Sequence, residues 1–371
     1  MADDPVDERP PPVIGALARV PAFRLMHALG IGAPDPINVT ISTTFRCNSR
    51  CLTCNVYERP VEELDASEWE RVFKALGRAP VWFTFSGGEP FLRKDLPDII
   101  ESAWTHCRPK VINIPTNGTY PERVVAAAER LTRALAGTQL VINVSLDAIG
   151  ERNDVIRGLK GDYEKATETL RGLKALGAPN LTVGLHSVVS RHNVKEFPQI
   201  ADALMDLGSD QYIVEPAEER IELQTIGTGI TPKPDDLDTA LAHVESRLQS
   251  RKKDGLPALT RALRLVYYRL ARETVRRKEQ VIPCYAAIAS VHIAANGDVW
   301  GCCTRANPLG NLRQNGYDFR AIWTSAAAKE ERRSIKAKEC ACPLANAAYT
   351  SILMDPRSLL AVGRATLGSS P

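Results

Sequence analysis

The sequence predicts an α/β fold built on a parallel sheet, followed by a small cysteine-bearing α+β unit. Three observations carry this. Six short runs rich in β-branched residues alternate with helix-periodic runs between residues 37 and 216. The rhythm stops after Pro216, where helical stretches alone continue. Asn296-Gly297 then joins two further strand-like runs as a hairpin signal. At 371 residues, the length suggests roughly two to three domains. A composition of 44% apolar and 25% charged residues excludes disordered, collagen-like and coiled-coil classes.

In order, INVTIS (37–42) reads as a strand and 67–77 as a helix stopped by Gly77. VWFTFS (81–86) is a strand and 95–104 a helix, then KVINIPT (110–116) a strand and 121–136 a helix. QLVINVSL (139–146) precedes a helix over 163–177, and LTVGLHSVV (181–189) one over 194–208. QYIVEP (211–216) is the sixth strand, short of the eight of a closed barrel. Residues 217–235 read as an irregular connection and 236–250 and 257–280 as helices. VHIAA and DVWGCC form the hairpin, a last helix lies near 325–337, and the tail from Asp355 is expected to fray. The expected organisation is an extension (1–36), a main domain (37–216), a basic helical connector (217–283) and a small cysteine-bearing domain with its tail (284–371).

The acidic, Pro-rich start is the opposite of a signal peptide. Arg19, Pro21, Arg24 and His27 argue against a spanning helix over 13–32, leaving a short packing helix, with a membrane-surface helix as the alternative. A cytoplasmic location follows, where thiols stay reduced. The nine cysteines are then free, metal-bound or catalytic, and they cluster.

Cys47, Cys51 and Cys54 form C-x3-C-x2-C directly after the first strand, at the sheet edge where active sites collect. Zinc usually wants four ligands, and no fourth lies nearby. Three thiolates suit a four-iron cluster, leaving one iron open for chemistry. The triad resembles the signature of the radical SAM superfamily. That resemblance implies a partial (βα)6 TIM-like barrel and a [4Fe-4S] cluster whose open iron chelates S-adenosylmethionine (SAM). It also implies reductive cleavage to a 5′-deoxyadenosyl radical that takes hydrogen from an unactivated C–H bond. One departure is Thr53, where the family commonly has an aromatic residue.

Other residues agree. Gly87-Gly88-Glu89-Pro90 follows strand two, where glycines let backbone approach a ligand and a carboxylate can pair with an ammonium. The resemblance gives this element the methionyl amino group. Ser145 and Asp147 share one face at the end of strand four and suit ribose hydroxyls, or else cap a turn. Asn117, in Thr116-Asn117-Gly118, is either a cofactor contact or part of a helix-leading turn. Arg191 and Asn193 could meet the SAM carboxylate. Glu215, ending strand six, is a candidate proton-transfer or substrate-binding group.

Five more cysteines lie between 284 and 342. Cys284, Gly297 and Cys302 form C-x12-G-x4-C, and Cys340 and Cys342 follow in ECACP. This resembles the SPASM/Twitch extensions that carry auxiliary clusters, and implies a second [4Fe-4S] cluster on Cys284, Cys302, Cys340 and Cys342. Cys303 is then spare, although the two neighbours could exchange roles, and a four-cysteine zinc site is the rival. Cys107 reads as plain core.

Net charge is only +3, yet residues 247–278 carry eleven Lys/Arg (Arg247, Arg251, Lys252, Lys253, Arg261, Arg264, Arg269, Arg272, Arg276, Arg277, Lys278) against Asp254 and Glu273. The segment is either an amphipathic helix with a solvated basic face or a docking surface for an acidic partner. The resemblance implies such a partner, a flavodoxin or ferredoxin electron donor. An anionic lipid or substrate carrier is a further possibility, and no nucleic acid is expected because no recognised module accompanies the patch. The SPASM/Twitch resemblance favours a ribosomal peptide substrate. The thirty-six N-terminal residues look short for a leader-binding domain, which keeps a small-molecule, sugar or lipid substrate as the alternative. An iron–sulfur electron carrier without SAM turnover is the reading from another class.

Overall fold

A computed structural model describes residues 12–250 and 256–366. The chain's first eleven residues, with Arg251, Lys252, Lys253 and Asp254, lie outside the described residues. The first part runs α1 (Pro12–Leu29), β1 (Asn38–Thr44), α2 (Ala66–Leu76), β2 (Trp82–Gly87), α3 (Leu96–Cys107), β3 (Val111–Thr116), α4 (Pro121–Ala134) and β4 (Gln139–Ser145). Then come α5 (Glu151–Arg157), α6 (Asp162–Ala175), β5 (Leu181–Val189), α7 (Phe197–Met205), β6 (Gln211–Pro216), α8 (Pro234–Ser250) and α9 (Leu256–Arg277). The last part holds β7 (Ser290–Ile293), β8 (Asp298–Trp300), β9 (Pro308–Asn311), α10 (Phe319–Trp323), α11 (Ala326–Lys336), α12 (Ala345–Met354) and α13 (Pro356–Thr366).

Strands β1 to β6 pair in sequence order, all parallel, as the βα rhythm requires. Their alternation has a physical cause. Val39, Ile41, Phe83, Phe85, Ile112, Ile114, Leu140, Ile142, Val183, Leu185 and Val214 are buried on the helix-covered face. The residues between them are largely polar, including Thr40, Ser42, Thr84, Ser86, Asn113, Asn143, Ser145, His186, Gln211 and Glu215. These line the inner face, where Asn143 donates to Asn113 (2.7 Å) and Gln211 donates to Asn143 (2.9 Å). One apolar and one polar wall is the pattern of a sheet curled around a wet interior rather than packed on both sides. Helix α2 begins at an Asp65/Glu68 capping box and ends at Gly77, as its sequence requires.

The sheet does not stop where the small domain was expected to begin. β7 pairs parallel to β1 (Asn38 with Ser290), and β8 and β9 continue antiparallel, giving one nine-stranded sheet. The Asn296-Gly297 turn is present, with Gly297 at φ +85°. α12 reaches across the open side of the barrel. Asn38 Nδ2 donates to Asn346 Oδ1 (2.7 Å) and Thr350 Oγ1 (2.9 Å), Asn346 donates to Thr40, and the Ala345 N–H reaches Glu215. The segment thus links β1 to β6, the gap that six strands leave unclosed.

Three expectations are corrected. The tail does not fray at Asp355: the Asp355 side chain accepts from the Ser358 N–H (2.8 Å) and starts α13. Ser358, Ala361, Val362 and Ala365 follow at helical spacing and are buried. The basic connector is not a free cationic face. Arg264 is buried and donates to Tyr212 O (2.9 Å) and Gln211 (2.6 Å), Arg272 pairs with Glu245 (3.2 Å), Arg276 with Asp235 and Asp238, and Arg247 with Asp202 (2.8 Å). Acidic residues of α8 therefore answer part of α9's charge, at Arg272 and Arg276. Finally, α5, β9, α10 and α12 were not anticipated. α1 packs as expected, with Phe23 buried and His27 stacked on Tyr285 at 4.6 Å. Among the described residues, no helix is long and apolar enough to cross a membrane.

Candidate functional site

The loop after β1 carries Cys47, Cys51 and Cys54, and three neighbours fix its path. The C-terminal end of α5 receives it: Arg50 N donates to Arg157 O (3.1 Å) and Leu52 N to Ile156 O (2.9 Å). Asn117, at the end of β3, donates to Asn48 Oδ1 (2.8 Å) and Ser49 Oγ (3.0 Å). Gly87 and Gly88 form the third wall. A Cβ on Gly87, which sits at φ +114°, would lie 2.1 Å from Thr44 O, and one on Gly88 would lie 2.1 Å from Arg46 O. Glycine is thus demanded here by the cysteine loop's own backbone, not only by a ligand. Replacing Gly88 with Ala is expected to displace the loop and lower the melting temperature by about 2–4 °C or more. Thermal denaturation followed by circular dichroism checks this.

All nine cysteines are free thiols. Burial pushes Cys47 up, Cys51 to about 11 and Cys54 to about 12, partly opposed at Cys51 by the Arg157 cation. Without a metal these are protonated thiols. Three of them on one loop, beside one buried guanidinium, fit an iron–sulfur cluster, because a metal ion supplies the positive charge that thiolates need.

Around the loop, Glu89 is buried and accepts from Phe91 N (3.0 Å), Thr116 Oγ1 (2.8 Å) and Asn117 N (2.7 Å). Burial outweighs those bonds and raises its pKa, so a cationic partner would stabilise its charged form. Pro90 is buried behind it and starts a single 3-10 turn. Asp147 accepts from Val188 N (2.7 Å) and pairs with Arg157 Nη1 (3.2 Å). Ser145 is buried on the same face. Asn193 donates to Asp147 O and Val188 O (both 2.9 Å) and accepts from Ser190 N (2.8 Å), so its amide is occupied by backbone. Arg191 is exposed, with Gly229 O at 3.3 Å.

Arg157 is the residue the sequence reading missed. It lies among Cys51, Asp147 and Asp162, and its Nε has no hydrogen-bond partner among the described residues. Burial alone would depress its pKa, but those three acidic neighbours raise it. It is the last residue of α5, a helix too short and polar to announce itself by periodicity.

The second set converges as well. Cys284, Cys302 and Cys340 lie close enough to act electrostatically on one another, and Cys342 feels Cys302 and Cys284. Burial pushes Cys284 up to about 11 and Cys302 to about 12. Gln280 donates to Cys340 O (2.9 Å) and holds that end of the site. Cys303 points elsewhere: its charged neighbours are Glu222 and Arg220. Cys302 feels Cys284 and Cys340, whereas Cys303 feels Glu222, Arg220 and Cys302 and shares an apolar cluster with Leu344, Ala347 and Cys342. Cys107 is core, as expected.

Between the two sets lie the candidate Glu215, ending β6, and an acidic run within 217–235 that reads from sequence only as irregular connection. Glu215 sits 3.2 Å from His186 Nε2 and 3.8 Å from Arg220. Burial would raise its pKa, but the His186 contact and Arg220 hold it below the usual carboxylate value. Glu218 is 2.8 Å from Arg220, yet burial pushes it up to about 7. Glu222, His292 and Cys303 are all buried, and their ligand atoms lie within 4.8 Å of one another.

Comparison with known proteins agrees with this geometry. Residues 41–204 match the model of the radical SAM superfamily, and residues 284–343 match SPASM, an iron–sulfur cluster-binding domain. The Fe-coproporphyrin III synthase of Methanosarcina barkeri is 36% identical over 184 residues, 48% of this chain and 43% of that protein. The PqqA peptide cyclase of Granulibacter bethesdensis is 30% identical over 227 residues, 58% of this chain and 57% of that protein. The chain spans about half the length of the curated relatives it matches. Streptococcus suis SuiB bound to precursor peptide SuiA shares the fold, with a TM-score of 0.62 at 14% identity, over 90% of this chain and 75% of that one. The chain carries a radical SAM domain over residues 41–204 and, C-terminal to it, a SPASM iron–sulfur cluster-binding domain over residues 284–343.

Proposed function

We propose that the chain is a radical SAM enzyme that modifies a peptide. The observation that carries this is the C-x3-C-x2-C loop, clamped between Gly87-Gly88, Asn117 and Arg157 at the ends of the parallel strands. In this reading Cys47, Cys51 and Cys54 hold three irons of a [4Fe-4S] cluster. With SAM bound, that cluster supplies reductive sulfonium cleavage, and hence a 5′-deoxyadenosyl radical able to take hydrogen from a substrate C–H bond. Glu89 receives the methionyl ammonium, which offsets the burial that disfavours its charge. Ser145 contacts the ribose. Asp147, engaged by Val188 N–H and Arg157, and Asn193, occupied by backbone, act as positioning residues; Arg191 stays free to meet the SAM carboxylate. Glu215 and its His186 partner face the substrate side and hold or move a proton there.

Cys284, Cys302, Cys340 and Cys342 hold the auxiliary cluster. Reconstituted protein is expected to contain about eight irons per chain, and about four irons with one zinc would instead mean a zinc ribbon at this site. Seven cysteines given over to iron–sulfur clusters need a reducing compartment, so the cytoplasm is part of the reading. The electron donor is an acidic flavodoxin or ferredoxin docking at the exposed end of α9. Reversing the exposed Arg277 and Lys278 to Glu, and leaving Arg276 in its pairs with α8, should then slow reduction at low salt, and an unchanged rate counts against the donor site.

A peptide substrate is supported by the likeness to PqqA peptide cyclase and to SuiB, which is named with its precursor peptide. A second reading, a small-molecule substrate, is supported by two observations: the similarity to an Fe-coproporphyrin III synthase, and the polar inner wall of Asn113, Asn143 and Gln211. Turnover with deuterated peptide and small-molecule pools decides. Deuterium entering 5′-deoxyadenosine from the peptide pool supports the first reading, and from the small-molecule pool alone the second.

A further inference from the structure

Glu222, His292 and Cys303 come from three separate parts of the chain. Glu222 lies on the loop after β6, His292 on β7, and Cys303 just after β8. Each is buried, at 6%, 3% and 7% exposure. The protein's own contacts satisfy this group thinly. His292 Nε2 has one good partner, the Ser42 hydroxyl at 2.8 Å, but Glu222 Oε1 has only that hydroxyl at 3.3 Å and His292 Nε2 at 3.5 Å, both long, and His292 Nδ1 is buried without a partner among the described residues. The buried Arg220 lies near enough to act on Glu222, yet the carboxylate oxygen keeps acceptor capacity that these long contacts do not use.

The chemistry of the set is that of a metal site. Carboxylate, imidazole and thiolate together are the donor mixture of a borderline divalent ion. Zinc holds such donors at about 2.0–2.3 Å, and the present spread contracts onto one ion by shifts of about 1 Å. Two anionic donors neutralise a divalent cation, which suits a site walled by Trp300, whose ring centre is 5.0 Å from that of His292. The trio lies between the two cysteine sets: Cys54 feels the charge of Glu222, and Cys303 adjoins Cys302.

We propose that Glu222, His292 and Cys303 form a mononuclear Zn2+ site, separate from both cysteine sets, with its fourth position open. Three protein ligands and a vacant position are the pattern of a zinc that binds water or a substrate oxygen rather than a closed structural site. The ion also ties the loop after β6 to the β7–β8 hairpin.

The test uses the full chain, anaerobically reconstituted with iron and sulfide, then given equimolar Zn2+ and desalted. The expected result is about one zinc retained beside about eight acid-labile sulfides. Zinc-edge X-ray absorption should show one sulfur and the rest nitrogen or oxygen. Cys303→Ala and His292→Ala should lose the zinc and keep the sulfide. The milder Glu222→Gln, which preserves shape, should weaken zinc about ten-fold or more in competition with a chelator, covering the case that the other variants misfold. No retained zinc in the wild type, a four-sulfur shell, or unaltered affinity in Glu222→Gln each overturns the proposal. So does sulfide falling from about eight to about four in Cys303→Ala, which would make Cys303 a ligand of the auxiliary cluster.

Discussion

Cys51→Ala is expected to abolish SAM cleavage while leaving the fold in place. Iron should fall from about eight to about four per reconstituted chain, because one cluster is lost and the auxiliary one remains. The fold should survive because Cys51 is half-buried and the loop is held by backbone hydrogen bonds from Arg50 and Leu52 to α5. The expected readouts are an unchanged far-ultraviolet circular dichroism spectrum, half the iron, and 5′-deoxyadenosine at background. Retention of both iron and cleavage would remove Cys51 from the catalytic cluster.

The second large effect concerns Arg157. Its guanidinium pairs with Asp147 and lies beside Asp162 and Cys51, and Asp162 Oδ1 has no hydrogen-bond partner among the described residues. Arg157→Met keeps the packing volume and leaves two buried carboxylates without their cation. Breaking a buried pair in this way costs about 3–5 kcal/mol. A lower urea midpoint with an unchanged m-value should report it. The double variant Arg157→Met with Asp147→Asn should recover part of the loss, since the orphaned charge is then gone. The pH dependence provides a separate check. Burial, first among its influences, raises Asp162 to about 6 despite Arg157, so the folded chain holds its proton more tightly than the unfolded chain. The contribution of Asp162, read as the difference in stability between the wild type and Asp162→Asn, should therefore fall as pH rises from about 4 through 6, and more steeply on the Arg157→Met background, where the opposing cation is absent. A difference between the wild type and Asp162→Asn that does not change over that range contradicts the assignment.

Most of the barrel was legible because its physics is local. Val39/Ile41, Phe83/Phe85 and Ile112/Ile114 alternate with polar residues, and period two reads directly as a strand. The cysteine triad and the GGEP element were legible for the same reason, being contiguous. What stayed hidden depends on distant partners. Arg157 sits at the end of a seven-residue helix, and its meaning appears only once Asp147 and Asp162 are beside it. The acidic run after Pro216 has no periodicity, and Glu222 becomes notable only when β7 brings in His292. The pairing of β7 with β1 is a contact across some 250 residues, which no local pattern encodes. Conversely, the eleven basic residues were conspicuous in the sequence, but those described are in part neutralised by α8, whose Asp235, Asp238 and Glu245 lie on the facing helix. The glycines of GGEP were singled out correctly, yet part of the demand for them comes from Thr44 and Arg46 carbonyls.

The central claim is that the Cys47, Cys51 and Cys54 loop performs reductive SAM cleavage. The most direct measurement incubates wild-type, cluster-loaded protein with SAM and a strong one-electron reductant and quantifies 5′-deoxyadenosine and methionine. The account predicts both products in equal amounts, formed by the wild type and absent from Cys51→Ala. A wild-type protein that holds both clusters, becomes reduced and still forms neither product would contradict it, and would leave an iron–sulfur electron carrier in its place.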